Sequence, residues 1–163
     1  MLHRAYAELA VRGMRYSATH QAPDITARRL FKGHPLLAEV DGRIVGTLTV
    51  YPPQPNSIVA AYRDPRTCSF GQFGVEPDYR GKGIGRALHQ AAVAHARSQG
   101  ARYLSLDTAV PAKELIATYE RWGYVIVERT HWNDTNYESV IMRLRIAPDG
   151  KESRSNVVER VST

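Results

Sequence analysis

The feature that most constrains this chain is the stretch RGKGIGRAL at residues 80–88. Glycine occupies three alternate positions in it, Gly81, Gly83 and Gly85. Basic residues stand between and beside the glycines, at Arg80, Lys82 and Arg86. A backbone this free of side chains lets a ligand approach the main chain closely, and the adjoining positive charge favours an anion. The stretch therefore predicts a loop that binds an anionic group.

The segments around this loop predict a parallel crossover. Residues 67–75 (TCSFGQFGV) are rich in aromatic and β-branched residues and predict a strand. Apolar and small residues then recur at helical spacing from Ile84 to a stop at Gly100, and residues 102–107 (RYLSLD) predict the next strand. A strand, a glycine loop, a helix and a strand in this order form one parallel crossover unit. We therefore expect an α/β fold on a mixed sheet.

Further elements are predicted on both sides of the crossover. Residues 36–50 contain two alternating strands joined by Asp41-Gly42, which is typical of a type I′ hairpin because both central residues need a positive φ. A final hairpin is predicted from 124–132 and 137–146, around the turn NDTN. The remaining helices are predicted at 2–13, 25–32 and 112–122, and loops at 14–21 and 51–66.

The length and composition indicate one ordinary globular domain. The chain has 163 residues, and we expect a single domain over 1–146 followed by a mobile polar tail over 147–163. It contains neither an apolar stretch long enough to span a membrane nor an uninterrupted apolar segment typical of a secretory signal, so a cytoplasmic location is expected. The single cysteine, Cys68, cannot form an internal disulfide and has no partner at metal-ligand spacing. No metal site is expected.

The charge balance indicates an anionic partner. The formal net charge is +6, but the 22 Lys and Arg residues are spread along the chain without a basic run. The sequence also lacks an aromatic-plus-basic module for reading RNA, so no nucleic-acid partner is expected, and nucleic-acid binding is only the third interpretation. A small phosphorylated ligand fits the composition at least as well.

Three phosphate-binding patterns compete for the loop. The dinucleotide pattern GxGxxG fails because its third glycine is replaced by Arg86, and the Walker pattern fails because no Ser or Thr follows Lys82 at the required position. The remaining pattern, Arg80-x-x-Gly83-x-Gly85, resembles the cofactor loop of the GNAT superfamily of N-acetyltransferases. Together with the crossover and the segment LIATYERWGY at 115–124, the resemblance covers 67–146 strongly and 14–66 loosely.

This resemblance implies a fold, a reaction and a cofactor. The fold would be a mixed, mostly antiparallel central sheet flanked by helices, with a parallel strand pair split around an acyl-CoA cleft. The reaction would transfer the acetyl group of acetyl-CoA to an amine by direct attack in a ternary complex. A noncatalytic domain that binds acyl-CoA as a sensor or recruits a partner is the alternative interpretation.

The resemblance also assigns roles to residues. The amides of residues 81–86 would hold the coenzyme A diphosphate, and backbone groups of the strand at 73–75 would bind the pantetheine arm and the oxyanion. Tyr119 would hydrogen-bond or protonate the leaving sulfur. The implied cofactor-binding residues are Phe73, Gly74, Val75, Arg80, Gly81, Lys82, Gly83, Ile84, Gly85, Arg86 and Tyr119.

The general base and the acceptor stay open at this point. Asp107, Glu76 or a chain of water molecules are the candidates for the base, and Ser69 is a candidate to hold a water. The acceptor pocket could draw on the segment 14–21. Its other candidates come from the last hairpin, at His131, Trp132, Asn136 and Tyr137, although such residues also suit an ordinary turn. Small amines and protein amino groups are both compatible with the sequence.

One departure from the family concerns the beginning of the chain. Family members usually open with a strand, whereas this sequence opens with a predicted helix. Without that strand, residues 36–40 are expected at an exposed edge of the sheet, where unpaired backbone groups invite another chain. Either the protein starts upstream of the given sequence or another segment covers this edge. We expect the C-terminal tail or a second copy of the chain to cover it, so a homodimer is one open interpretation.

Overall fold

A six-stranded sheet is the framework of the protein, which is represented here by a computed structural model that describes residues 1–147. The strands are β1 (His34–Val40), β2 (Arg43–Tyr51), β3 (Thr67–Val75), β4 (Tyr103–Ala109), β5 (Val125–His131) and β6 (Glu138–Arg145). Their order in the sheet is β1-β2-β3-β4-β6-β5. Only β3 and β4 run parallel, and the other neighbours are antiparallel. The predicted mixed, mostly antiparallel sheet is therefore confirmed.

Seven α-helices flank this sheet within the described residues. They are α1 (Leu2–Ala5), α2 (Ala7–Val11), α3 (Ser17–His20), α4 (Pro23–Phe31), α5 (Ala60–Arg63), α6 (Ile84–Ser98) and α7 (Lys113–Arg121). A short 3₁₀ helix, Pro77–Tyr79, precedes the glycine loop. Helices α6 and α7 lie where the sequence predicts them, directly before and directly after β4 in the chain.

Three local predictions were wrong, because tertiary contacts decide these segments. The predicted first helix is interrupted at Tyr6, whose hydroxyl group is held by a strand. The predicted loop at 14–21 contains α3, and the predicted loop at 51–66 contains α5. The first amides of α5, those of Ala60 and Ala61, donate to the Glu128 carboxylate 68 and 67 residues away. A helix of four residues is too short for a periodic signal and depends on such contacts.

The hairpin between β1 and β2 has the predicted turn. Asp41 and Gly42 have φ angles of 51° and 74°, and Val40 lies opposite Arg43 in the register. Strand β1 is at one edge of the sheet, which confirms the predicted edge position of residues 36–40. The proposed covers for this edge stay predictions, because residues 148–163 of the expected tail lie outside the described part of the chain.

The parallel pair separates soon after it begins. Strands β3 and β4 pair only from Thr67 and Tyr103 to Ser69 and Ser105. Beyond this point β3 continues along β2 and β4 continues along β6, so a cleft opens between the two strands. A bulge in β3 assists the separation, with Gln72 at a φ of 50°. The predicted split of the parallel pair is present in the fold.

The main core lies between the sheet and the helices α6 and α7. Leu104 and Leu106 of β4 are fully buried there against Leu88 and Ala92 of α6. Because successive side chains of a strand point to opposite faces, the residues between them face the other side. That side is covered by α1 and α5, which contact β3. The cleft between β3 and β4 therefore connects two differently covered faces of the sheet.

Gly74 allows α1 to pack directly on β3. A Cβ atom at this position would lie 2.9 Å from the Ala5 Cβ and 3.2 Å from a Leu2 methyl group. We predict that Gly74→Ala lowers the free energy of unfolding by about 1–3 kcal/mol, because the helix must shift to relieve the overlap. Urea unfolding measures this change.

The matched control for this prediction is Gly85→Ala. A Cβ atom there would lie at an ordinary 3.5 Å from the Phe73 ring, and Gly85 has no positive φ. The free energy of unfolding of Gly85→Ala should equal or exceed that of the native chain, since alanine has a higher helix propensity than glycine. Equal stability of Gly74→Ala and the native chain would show that α1 is not tightly packed on β3.

Candidate active site

The glycine loop presents an open row of amide groups at the mouth of the cleft. Gly81 and Gly83 adopt positive φ angles of 72° and 81°. A Cβ atom added at either position would have no other group within 4 Å, so the surroundings of both residues are open. Within the described part of the chain, the amides of residues 81–86 donate no hydrogen bond, and the first helical bond runs from Ala87 N to Gly83 O at 3.0 Å. Unpaired amides and the helix dipole favour an anion at this end of α6.

Strand β3 lies beside this loop and directs two residues into the cleft. The Glu76 amide donates to Val45 of β2 at 2.8 Å, and successive amides of a strand alternate in direction. The backbone groups of Phe73 and Val75 therefore point away from β2 and into the cleft, whereas those of Gly74 point toward β2. A Cβ on Gly85 would lie 3.5 Å from the Phe73 ring, which shows how closely the loop approaches β3. Of the three predicted strand residues, Val75 and the Phe73 amide face the cleft, while the Phe73 carbonyl accepts a hydrogen bond from the Tyr6 hydroxyl at 2.7 Å.

The basic residues of the loop have different surroundings. The Arg80 guanidinium donates to the Glu8 carboxylate at 3.2 Å and also to the Ala5 carbonyl, so it holds the N-terminal helices. The Lys82 ammonium lies 4.9 Å from the centre of the Tyr79 ring. Arg86 is exposed on the first turn of α6 and has no hydrogen bond or ion pair to another described residue. Lys82 and Arg86 are therefore the loop cations that remain available to an anion.

Tyr119 reaches the cleft from the α7 side. Its ring is buried and packs edge-on against Phe70 and Trp122, with centroid distances of 6.2 Å and 5.7 Å. Its hydroxyl group forms no hydrogen bond with any residue in 1–147. Burial raises the pKa of Tyr119, and the nearby charge of Asp107 contributes in the same direction. The hydroxyl is thus a weaker acid than an exposed phenol but a free hydrogen-bond donor.

Two tyrosines of the N-terminal segment bridge the two separated strands. The Tyr6 hydroxyl donates to the Phe73 carbonyl of β3 at 2.7 Å. On the opposite side, the Ala109 amide of β4 donates to the Tyr16 hydroxyl at 3.1 Å. The two rings lie 5.3 Å apart. Each tyrosine therefore satisfies a backbone group that the separation of the strands leaves unpaired, and the segment closes part of one face of the cleft.

Asp107 is the acidic group of the cleft. Its carboxylate accepts hydrogen bonds from the Tyr62 hydroxyl at 3.2 Å and from the Trp132 indole at 3.0 Å. The residue is exposed to solvent, yet the surrounding protein desolvates the carboxyl group and raises its pKa, while the two hydrogen bonds partly oppose this. A raised pKa suits a carboxylate that accepts a proton near neutral pH.

The other base candidate, Glu76, is engaged elsewhere. Arg4 holds its carboxylate through the guanidinium Nε, at 3.2 Å and 3.0 Å from the two oxygens, and this pairing lowers the pKa of Glu76. The Ser69 hydroxyl accepts a hydrogen bond from Gln54 at 2.9 Å, so it is already partnered. Among residues 1–147, no three His, Cys, Asp or Glu side chains converge as metal ligands.

The candidates for an acceptor pocket separate into two groups. Trp132 contacts Asp107, and Tyr137 packs against Tyr16, with ring centroids 4.9 Å apart. Asn136 instead binds the N-terminal segment, through the Arg15 amide and the Gly13 carbonyl, each at 2.8 Å. His131 is exposed at the end of edge strand β5, opposite Glu138. Of these four residues, only Trp132 and Tyr137 lie near the cleft.

Sequence reasoning missed several residues of this site. Tyr6 falls inside the predicted helix at 2–13 without any signal of a role in the site, and the sequence patterns single out neither Tyr62 nor Arg4. Their contacts join residues 45 to 72 positions apart in the chain, to Asp107 and Glu76. The cluster of tyrosines has no local spacing signal, so the pattern alone could not identify it.

Comparisons with known proteins support a single family. A family model described as "Acetyltransferase (GNAT) family" matches residues 4–124. The S-(2-succino)cysteine N-acetyltransferase of Bacillus subtilis is 33% identical over 127 residues, which cover 75% of this chain and 73% of that protein. A mycothiol acetyltransferase of Propionibacterium freudenreichii is 39% identical over 55 residues, which cover 34% of this chain and only 18% of that protein.

Solved structures share the fold. Ard1 from Thermoplasma volcanium superposes with a TM-score of 0.63 at 20% identity, covering 79% of this chain and 81% of Ard1. A GNAT family acetyltransferase from Elizabethkingia anophelis with acetyl-CoA bound gives a TM-score of 0.59 at 17% identity, covering 76% and 83%. In addition, no helix within residues 1–147 has the length and apolar character needed to cross a membrane.

Proposed function

Because the chain belongs to the GNAT acetyltransferase family, we propose that it transfers the acetyl group of acetyl-CoA to a primary amine. The observation that carries this proposal is the open row of amides at residues 81–86, at the mouth of the cleft between β3 and β4. A diphosphate suits unpaired amides at a helix N-terminus. The related structure with acetyl-CoA bound supports the choice of cofactor.

The residues along the cleft match successive parts of acetyl-CoA, from the diphosphate through the pantetheine arm to the sulfur. The amides of 81–86, with Lys82 and Arg86, would bind the diphosphate. The Phe73 amide and the backbone groups of Val75, which face the cleft, would bind the pantetheine arm as an added strand does. Tyr119, with a free hydroxyl deeper in the cleft, would lie near the sulfur. When bound, acetyl-CoA supplies a thioester carbonyl that an amine can attack directly.

The protein groups of the cleft suit direct transfer. The single cysteine, Cys68, is buried in the core, which argues against an acyl-enzyme on a thiol. An alkylammonium of pKa about 10.4 must lose a proton before attack, at a cost of roughly 4.6 kcal/mol at pH 7. Asp107 accepts that proton, directly or through a water. The Tyr119 hydroxyl stabilises the leaving thiolate by a hydrogen bond, since its raised pKa makes full proton transfer unfavourable.

The proposed activity is tested by measuring thiol release from acetyl-CoA with a panel of amines, and Gly83→Glu is the diagnostic variant. The added side chain strains a residue at φ 81° and places a negative charge at the diphosphate site, so coenzyme binding should be abolished. Gly100→Glu is the matched control, because Gly100 has a φ of 78° and open surroundings at the other end of α6.

The outcomes of this experiment separate the candidate functions. Thiol release by the native chain and by Gly100→Glu, together with its loss in Gly83→Glu, supports an acetyltransferase that uses this loop. Saturable binding of acetyl-CoA without thiol release for any amine would instead favour the noncatalytic sensor. No detectable binding of acetyl-CoA to the native, folded chain would refute the proposal.

Asp107→Asn tests the proposed base. We expect kcat/KM to fall by about 10²- to 10⁴-fold, the usual range for general acid-base catalysis. In the native protein, kcat/KM should rise as pH rises through the pKa of Asp107, which lies above the ordinary value for an aspartate. The carboxamide of the variant cannot ionise, so this acidic limb should disappear from the pH profile. The control is Asp24→Asn, which removes a carboxylate from the exposed helix α4 and should leave the pH profile unchanged. An unchanged acidic limb in Asp107→Asn would show that Asp107 is not the general base.

Tyr119→Phe tests the hydrogen bond to the leaving group. The ring and its packing remain, so KM should change little, whereas kcat should fall by about 10²-fold or less. Steady-state kinetics with a good acceptor measure both constants. Tyr103→Phe is the control, because Tyr103 lies at the start of β4, before the strands separate. Kinetics of Tyr119→Phe equal to the native values would remove Tyr119 from the mechanism.

A further inference from the structure

One face of the sheet carries both Tyr51 and Asp107. The register places Tyr51 beside Ser69 and Ser69 beside Ser105, so these three residues form one row across β2, β3 and β4. Because the side chains of a strand alternate between the two faces, Asp107 lies on the same face as Ser105 and therefore as Tyr51. The separation of β3 from β4 lies between Tyr51 and Asp107, so the two side chains border the cleft from opposite sides.

Arg29 of α4 brings a positive charge to this face. Its guanidinium lies 3.7 Å from the Asp134 carboxylate, in the turn between β5 and β6. Two residues earlier in the same turn, Trp132 donates to Asp107 at 3.0 Å. Burial raises the pKa of Tyr51 to about 12, and the positive charge of Arg29 partly opposes this shift, so the guanidinium also lies near the Tyr51 hydroxyl. Arg29 therefore stands between the end of β2 and the turn that holds Asp107.

Contacts between the N-terminal segment and the turn support this arrangement. The Ser17 hydroxyl of α3 donates to the Asp134 carboxylate at 2.7 Å. The Arg15 amide donates to the Asn136 side chain at 2.8 Å. The turn is thus attached both to the segment that leads into α4 and, through Trp132, to Asp107. These contacts hold the guanidinium and the Asp107 carboxylate on one surface.

The Arg29 guanidinium retains capacity to bind an anion. Its separation of 3.7 Å from Asp134 is longer than a hydrogen bond, and Asp134 already accepts one from Ser17. The Arg29 side chain is 35% exposed, so a small solute can reach it. A guanidinium presents several N–H donors in a planar fork that matches the two oxygens of a carboxylate. The neighbouring Arg28 differs, because it donates to Asp24 at 2.6 Å on the outer surface of α4.

The two opposite charges favour one class of acceptor. An ammonium group is attracted to Asp107, and a carboxylate on the same molecule is attracted to Arg29. A simple alkylamine would leave the guanidinium without an anion, and a diamine would bring a second positive charge toward it. The side-chain amine of a lysine within a protein chain carries no carboxylate of its own. A small molecule with both groups therefore fits this face better than these other amines.

We infer that the acceptor is a free amino acid and that Arg29 binds its carboxylate. The inference rests on the proposed function, since the amine of this molecule is the one that Asp107 deprotonates. Arg29 is then a specificity-determining residue, which selects and orients the acceptor and takes no part in the proton transfer.

Thiol release from acetyl-CoA with matched pairs of acceptors tests the inference. L-Methionine is compared with 3-(methylthio)propylamine, and 4-aminobutyrate with propylamine, so each pair differs only in the carboxylate. The two pairs also differ in the distance between the amine and the carboxylate. In at least one pair, the native chain should use the amino acid with a kcat/KM about tenfold or more above that of the amine. The diamine 1,4-diaminobutane is included as a third kind of acceptor.

Variants at two adjacent positions of α4 identify the residue responsible. Arg29→Ala should raise KM for the preferred amino acid about tenfold, with kcat and both constants of the matched amine almost unchanged. Arg29→Lys should recover part of this loss, because it keeps the charge without the planar fork. Arg28→Ala removes the same charge from the outer surface of the helix and should leave the kinetics of both acceptors unchanged. Thermal unfolding of each variant verifies its fold.

The outcomes separate this inference from the proposed function. Equal kcat/KM within each pair, a preference for 1,4-diaminobutane over both amino acids, or an equal loss with both acceptors in Arg29→Ala would overturn the role of Arg29. Each of these results would leave the acetyltransferase proposal intact. Absence of thiol release with every amine would overturn the proposed function, and the inference with it.

Discussion

The separation of β3 from β4 is the feature on which the rest of the structure depends. Two parallel strands that stop pairing after Ser69 and Ser105 leave backbone groups without partners inside the sheet, and such groups are costly when they are left unsatisfied. The hydroxyls of Tyr6 and Tyr16 satisfy one group on each strand, the Phe73 carbonyl and the Ala109 amide. The N-terminal helices are therefore part of the site as well as a cover for one face of the sheet.

Burial shifts the pKa of the two ionisable groups that face the cleft in the same direction, but the chemical consequences differ. It raises the pKa of both Asp107 and Tyr119, because desolvation disfavours each charged form. For Asp107 the shift makes the carboxylate a better proton acceptor near neutral pH. For Tyr119 it makes the phenol a poorer proton donor, so a hydrogen bond is the stronger contribution to the departure of a thiolate. The same physical cause thus assigns the two groups different parts in the proposed transfer.

Helix α6 positions the proposed diphosphate site. Its N-terminus carries the unpaired amides beside the cleft. A Cβ atom on Gly85 would make an ordinary contact with the Phe73 ring, at 3.5 Å, so the first turn of this helix lies directly against β3. The packing of one helix on β3 therefore sets the distance between the amides of the glycine loop and the strand that lines the cleft.

The sequence by itself determined the parts that depend on neighbours in the chain. The turn at Asp41-Gly42 needs two positive φ angles, the loop at 81–86 needs glycine, and the strand-helix-strand order fixes a parallel crossover. Only the tertiary structure decided that Arg80 binds Glu8 and the Ala5 carbonyl, that Arg4 occupies Glu76, and that Tyr62 and Trp132 converge on Asp107. These contacts join segments far apart in the chain, and the direction of a long side chain follows from packing rather than from the spacing of residues.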